Sequence, residues 1–105
     1  MAAIRNSLNI TTTNTDISLY SVPSGKATSF SLNLCNRTSG KVLVRVFFSS
    51  NNSPAPGEYI EYDAELLPND TLQRLGLVLP SGDSIFVRSN TSGVSAVMWG
   101  FEETA

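Results

Sequence analysis

The sequence predicts an all-β fold, an antiparallel sandwich or barrel of about eight strands, and three observations carry that expectation. Alternation of apolar and polar residues is frequent, while helical periodicity is absent over any useful length. Clusters of Gly, Pro, Asn, Asp and Ser interrupt the alternating runs at regular spacing, as in sandwiches. Charged residues make up only 15% of the chain, against about 25% in ordinary globular domains. Ser, Thr and Asn supply the missing polarity, as in Thr11-Thr12-Thr13-Asn14-Thr15, and these residues favour strands, turns and caps over helix interiors.

Taken in order, segment 1–15 is polar, with Ile4, Leu8 and Ile10 at even intervals. It reads either as a first strand or as an arm that adds to a neighbour's sheet edge. Residues 16–105 read as one domain, with no linker or composition break. Ile17 to Val22 is the next strand. Thr28, Phe30, Leu32 and Leu34 alternate with Ser29, Ser31, Asn33 and Cys35, the pattern of a half-buried strand. Arg37-Thr38-Ser39-Gly40 turns the chain. Lys41 to Phe48 is rich in β-branched and aromatic residues. Val42, Val44, Val46 and Phe48 share one face, and Leu43 and Phe47 lie on the other. Such a strand is either central or covered on its second face by a partner.

The clearest loop is 51–57, where Pro54 and Pro56 deny a ladder its donors. Ile60, Tyr62, Ala64 and Leu66 then alternate with Glu61, Asp63 and Glu65. Pro68-Asn69-Asp70 turns into a strand over 72–79. Pro80-Ser81-Gly82-Asp83 turns into 84–88, and Asn90-Thr91-Ser92-Gly93 into a last strand over 94–101. One echo runs through this order. Val22-Pro23-Ser24-Gly25 opens a strand ending at Asn36, followed by Thr38-Ser39-Gly40. Leu79-Pro80-Ser81-Gly82 opens another ending at Asn90, followed by Thr91-Ser92-Gly93. Either two similar hairpins sit in the two halves, or good turn chemistry simply recurs.

At 105 residues and 41% hydrophobic, the chain can fill one core without staples. Its net charge is −2 and its pI about 4.9. Lys and Arg are scattered singly, so no basic footprint for nucleic acid is present. Cys35 is the only cysteine, which excludes an intrachain disulfide and any dependence on an oxidising compartment. Residues 1–6 lack the features of a signal peptide, and no apolar run reaches the roughly 20 residues needed to span a bilayer. Synthesis in a cytoplasm and no membrane partner are therefore expected. On the same ground, the Asn-x-Ser/Thr triplets at Asn9, Asn36, Asn51, Asn69 and Asn90 are expected by-products of composition.

The chain has no histidine. The commonest general base and metal ligand are missing, and Ser-His-Asp or Cys-His arrangements are impossible. No phosphate loop is present, and no catalytic residue, cofactor or metal is expected. Glu61, Asp63 and Glu65 are expected on one strand face, about 7 Å apart per two-residue step. That spacing is compatible with a glycosidase pair, but a solvated face opposite Lys41, Arg45 or Arg74, or a charged subunit contact, explains it more simply. Tyr59, Tyr62, Phe86, Trp99 and Phe101 suit a core or subunit interface, or else a sugar platform.

Leu19-Tyr20-Ser21-Val22-Pro23-Ser24-Gly25-Lys26, Leu32-Asn33-Leu34-Cys35-Asn36-Arg37 and Val42-Leu43-Val44-Arg45-Val46 resemble stretches of small virion proteins of tailed bacteriophages. Leu66 to Thr71 and Leu79 to Asp83 fit the same pattern, so the resemblance spans about residues 19–101. It implies an immunoglobulin-like or jelly-roll-like sandwich on the particle surface. It implies a capsid decoration (cement) protein or a tail-associated component, assembled in the host cytoplasm. The expected partners are the major capsid protein or other virion proteins, and further copies of the chain. The expected contacts are Ile4, Leu8 and Ile10 of the N-terminal segment, Pro54 and Pro56 of the loop, and Glu61, Asp63 and Glu65. A carbohydrate-binding host-attachment module is the alternative.

Overall fold

The computed structural model describes residues 1–51 and 53–105. Asn52, within the 51–57 loop, lies outside the described residues. The strands are β1 (Ala2–Ile10), β2 (Ile17–Ser21), β3 (Lys26–Asn36), β4 (Val42–Ser49), β5 (Tyr59–Leu66), β6 (Thr71–Leu79), β7 (Ser84–Ser89) and β8 (Val94–Thr104), with a 3-10 turn at Pro56–Glu58. They form two four-stranded sheets, ordered β1-β8-β3-β6 and β2-β7-β4-β5.

Every pairing is antiparallel. Strand β1 pairs with β8, β2 with β7, β3 with β6, and β4 with β5. Among consecutive strands only β4 and β5 share a sheet; every other connection crosses the sandwich. That winding is the jelly roll. It differs from the immunoglobulin order, in which A pairs with B inside one sheet.

Outside β5, the alternating runs bury the residues that the pattern assigns to the core. Thr28, Phe30, Leu32 and Leu34 of β3, with Ala96 and Met98 beside them on β8, face Val42, Val44 and Val46 of β4 and Ile85 and Val87 of β7. Burying each large aliphatic side chain contributes about 1.5–3 kcal/mol relative to exposure. Segment 1–15 is the strand of its two readings. Strand β1 pairs along its whole length with β8 of its own chain, from Ala2 opposite Glu102 to Ile10 opposite Val94.

The two echoed turns meet in space. Val22 N–H donates to Asp83 O at 2.9 Å, and Gly82 N–H donates to Val22 O at 3.2 Å. Ser81 Oγ donates to Lys26 O at 2.6 Å. At the other end Arg37 N–H donates to Gly93 O at 3.0 Å. Gly93 has φ +96°, a backbone that favours glycine, and a Cβ there would lie 2.7 Å from Thr38 Cγ2 and have to displace it. Asn36 is fully buried, and its amide donates to Gly40 O, Leu66 O and Leu67 O. Asn90 takes the equivalent place in the second turn and accepts Leu43 N–H at 2.9 Å; because β3 and β4, like β7 and β8, lie in different sheets, the echo is one of turns and not of hairpins.

Candidate interaction surfaces

The outward face of the β1-β8-β3-β6 sheet is poor in charge. Because Ala96 and Met98 point into the core, the period of two sends Ser95, Val97, Trp99, Phe101 and Glu103 outward. Cross-strand register places Trp99 between Arg5 and Ser31, and Phe101 between Ala3 and Ser29. Val78 of β6 stands opposite Ser29. Trp99 is 37% exposed, Phe101 53% and Val78 66%, values that leave an apolar band facing solvent. A shallow groove of about 420 Å³ runs between the Trp99–Phe101 pair and the Gly76–Val78 segment of β6, with Ser29, Ser31 and Gly100 along it. The outward strand positions carry two charges, Arg5 and Glu103. At the end near the β3–β4 turn, the Arg37 guanidinium joins this face, donating to Ser95 Oγ at 2.8 Å and to Asn9 Oδ1.

The outward face of the β2-β7-β4-β5 sheet is built on aromatics and ion pairs. Phe47 faces away from the main core yet is fully buried. Phe86 stacks on it at 4.8 Å between centroids, and Tyr59 meets its edge at 5.3 Å. Strand β4 is therefore central, and its own chain covers its second face. Tyr62 packs edge-on against Tyr59 at 4.9 Å and carries the Arg45 guanidinium 4.1 Å above its ring. Tyr62 nonetheless stays 60% exposed. With Tyr59, Pro54 and Pro56 it lines an open cleft of about 550 Å³ at this corner. The Glu58 carboxylate accepts Ala55 N–H at 2.9 Å and so fixes the Pro56 turn.

The acidic stripe is not a single face, which corrects the alternation expected over 60–66. The register slips between Val44 and Val46, where Tyr62 and Asp63 together span a bulge opposite Arg45. Asp63 takes φ 51° there. The bulge sends Tyr62 outward and sets Glu61 opposite the buried Val46. Glu61 then ion-pairs with Arg74 of β6, across the flank between the two sheets, and its side chain is only 11% exposed. Asp63 remains outside and takes Arg45 at 2.7 Å and 3.2 Å. That guanidinium holds the Asp63 carboxyl below the usual carboxylate range. Glu65 meets Lys41 at 3.4 Å. All three carboxylates thus have the cationic partners named from sequence.

The remaining predicted contacts are spread apart. Ile10 is fully buried in the core, so it offers nothing to a partner. Ile4 and Leu8 are half-buried against the same core. Pro54 and Pro56 alone lie together, on the Tyr59–Tyr62 cleft. Cys35 is half-buried on the outward face of β3. Among the described residues no group of three or more His, Cys, Asp or Glu is placed to hold a metal ion, and no helix is long and apolar enough to cross a membrane. The charge-poor face was not singled out from sequence. Its signal is there, because Ser29, Ser31, Asn33 and Cys35 alternate on β3 just as Ser95, Val97, Trp99 and Phe101 do on β8. No protein-family model, curated protein or solved structure matches the chain.

Proposed function

We propose that this chain is a structural protein of a tailed-bacteriophage virion, a capsid decoration protein that coats the particle in many copies. The observation that carries the reading is the pair of exposed aromatic surfaces on opposite sheets: Trp99 and Phe101 on one, Tyr62 with Pro54 and Pro56 on the other. A small domain with two separate contact surfaces can bind a neighbour and an underlying shell together, and repeated weak contacts then add through avidity. The resemblance of residues 19–101 to small phage virion proteins supports the same reading, and jelly rolls recur among capsid domains. Mass spectrometry of purified particles, followed by electron microscopy with the protein labelled, tests it. Many copies on the head surface are expected; absence from particles overturns the proposal, and confinement to the tail selects the tail-associated alternative.

A carbohydrate-binding attachment module is the second reading, favoured by the exposed Trp99 and Phe101 beside the Ser29 and Ser31 hydroxyls. Sugar rings stack on such aromatics, but the groove has no carboxylate, amide or guanidinium along it to fix sugar hydroxyls. A glycan array with the full chain decides: binding lost on Trp99→Ala supports this reading, and no binding removes it.

A further inference from the structure

We infer that the outward face of the β1-β8-β3-β6 sheet is the contact through which two copies of this chain pair face to face about a two-fold axis, with their strands antiparallel. The inference rests on the structural-protein reading above and names one of its partners.

The face has the make-up of an interface centre, where charged residues are depleted and aromatic residues enriched. Trp99 and Phe101 stand among Ala3, Ser7, Ser29, Ser31, Asn33 and Val97, and the one charge beside Trp99 is Arg5 on the edge strand β1. The opposite sheet carries its charges as ion pairs on a solvated face, with Arg45–Asp63, Lys41–Glu65 and Arg88–Asp16.

The charges that the face does carry select a second copy and its orientation. Arg37 lies at one end, tied to Ser95 and Asn9, and Glu103 at the other. Ser95 and Glu103 are each four residues from Trp99 along β8, so the two charges sit about 13 Å to either side of it at strand rise. A two-fold axis lying in the interface and running across the strands at Trp99 sets each Arg37 over the partner copy's Glu103. It also brings the two Trp99 regions together, with the two Arg5 side chains at the β1 edge of the axis, where the open edge of the sheet lets them turn to solvent. An axis along the strands would instead oppose Arg37 to Arg37 and Glu103 to Glu103. The antiparallel two-fold pair is thus the closed, self-complementary arrangement that the charges favour.

The area sets the expected strength. Four strands of nine to eleven residues, overlapping over about nine, cover about 19 by 31 Å, on the order of 600 Å² per copy. Standard-size interfaces bury roughly 800 Å² per partner, so the pair belongs at the weak end and is expected to show concentration-dependent assembly.

The test is sedimentation velocity on the full chain from about 1 μM to about 1 mM, the affinity span of weak complexes. A reversible monomer–dimer equilibrium is expected. Glu103→Arg and Arg37→Glu should each weaken it tenfold or more, because each puts like charges at both ends. An equimolar mixture of the two variants should dimerise again, since the mixed pair restores opposite charges at both ends. That rescue separates a lost contact from a lost fold. Trp99→Lys should also abolish the dimer, while Lys41→Glu on the other sheet should not. A chain that stays monomeric throughout, a dimer indifferent to both charge reversals, or a mixture that fails to rescue overturns the inference. Glycan binding at Trp99 by a monomeric chain overturns it in favour of the sugar platform. Failure here with the protein still on particles leaves the decoration reading standing, whereas a dimer absent from particles removes only that reading.

Discussion

Tyr20 on β2 and Glu102 on β8 meet across the gap between the sheets, the phenol Oη donating to Glu102 Oε1 at 2.5 Å. Thr28 Oγ1 of β3 donates to the same oxygen at 3.0 Å. One half-buried carboxylate therefore ties three strands from both sheets at the end where Gly25 O accepts Ala105 N–H. Burial, then the hydrogen bond to Glu102 and its charge, push the Tyr20 phenol up to about 12. Its raised value means that the folded state favours the protonated phenol. The stabilisation is complete below pH 10 and is lost as pH rises from there through about 12. A titration followed at 295 nm should show one of the three tyrosines ionising about two pH units late, and Tyr20→Phe should remove that late step. The same substitution should cost about 1.5 kcal/mol in urea unfolding, the lower range for a bond to a charged group.

Gly100 on β8 stands opposite Phe30 of β3, and a Cβ there would lie 2.0 Å from Ser29 O and 2.6 Å from Phe30 Cα. Both are backbone atoms of a central strand and cannot swing aside. Gly100→Ala should therefore destabilise the fold by about 2 kcal/mol or more, by overpacking. Gly57→Ala, where an added Cβ meets nothing within 4 Å, should fall within about 0.5 kcal/mol of wild type. Equal midpoints for the two variants in chemical denaturation would refute the close approach.

Most of the fold was legible because strand periodicity and turn chemistry are local. Phe30, Leu32 and Leu34 announce an inward row on β3, and Pro80-Ser81-Gly82 announces a turn, whatever lies elsewhere. Strand pairing is not local. Nothing in Ile4 or Leu8 says that β1 will lie beside β8 rather than beside a neighbouring chain. The slip at Tyr62–Asp63 was hidden for a related reason. A bulge changes the inward set by one position, and alternation read from sequence runs straight through it. Of the site residues, the cations opposite the acidic stripe were legible and the charge-poor face was not. Its outward row becomes conspicuous only when β3 and β8 are known to be neighbours, because Ser29 and Ser31 look like ordinary solvent positions until Phe101 and Trp99 stand beside them.

Asn36 closes the first of the two echoed turns, between β3 and β4. Besides donating to the carbonyls of Gly40, Leu66 and Leu67, its Oδ1 accepts Thr38 N–H at 2.9 Å and Thr38 Oγ1 at 2.7 Å. Asn36→Ala leaves several of these groups without a partner in a dry site, and the loss should be about 2–3 kcal/mol. Asn36→Asp, which keeps the acceptor and removes the donors, should recover little of it at neutral pH. A glycan on Asn36 would have to displace the same contacts, so expression in a secreting host should leave this position unmodified in peptide mass maps.

Asp63 combines a left-handed backbone with a charge, and the two contributions can be separated. Its hydrogen bond to Arg45, partly opposed by desolvation, lowers the carboxyl below its ordinary value of 3.8. A depressed value means that the pairing stabilises the fold above the unfolded-state pKa and that its contribution fades as pH falls below 3.8. Asp63→Asn keeps the tolerance for φ 51° and removes the charge, so its effect should be small at pH 7, diminished by salt, and smaller at pH 3 than at pH 7. Asp63→Val adds a β-branched side chain in the left-handed region, which is strained at any pH. Its destabilisation should exceed that of Asp63→Asn at both pH 7 and pH 3, with a difference between the two variants that pH does not change. Thermal melts of both variants at the two pH values, with and without added salt, measure each part. A Val variant no worse than the Asn variant would show that the bulge at Tyr62–Asp63 relaxes, and Glu61 would then be expected to swing back toward solvent and release Arg74.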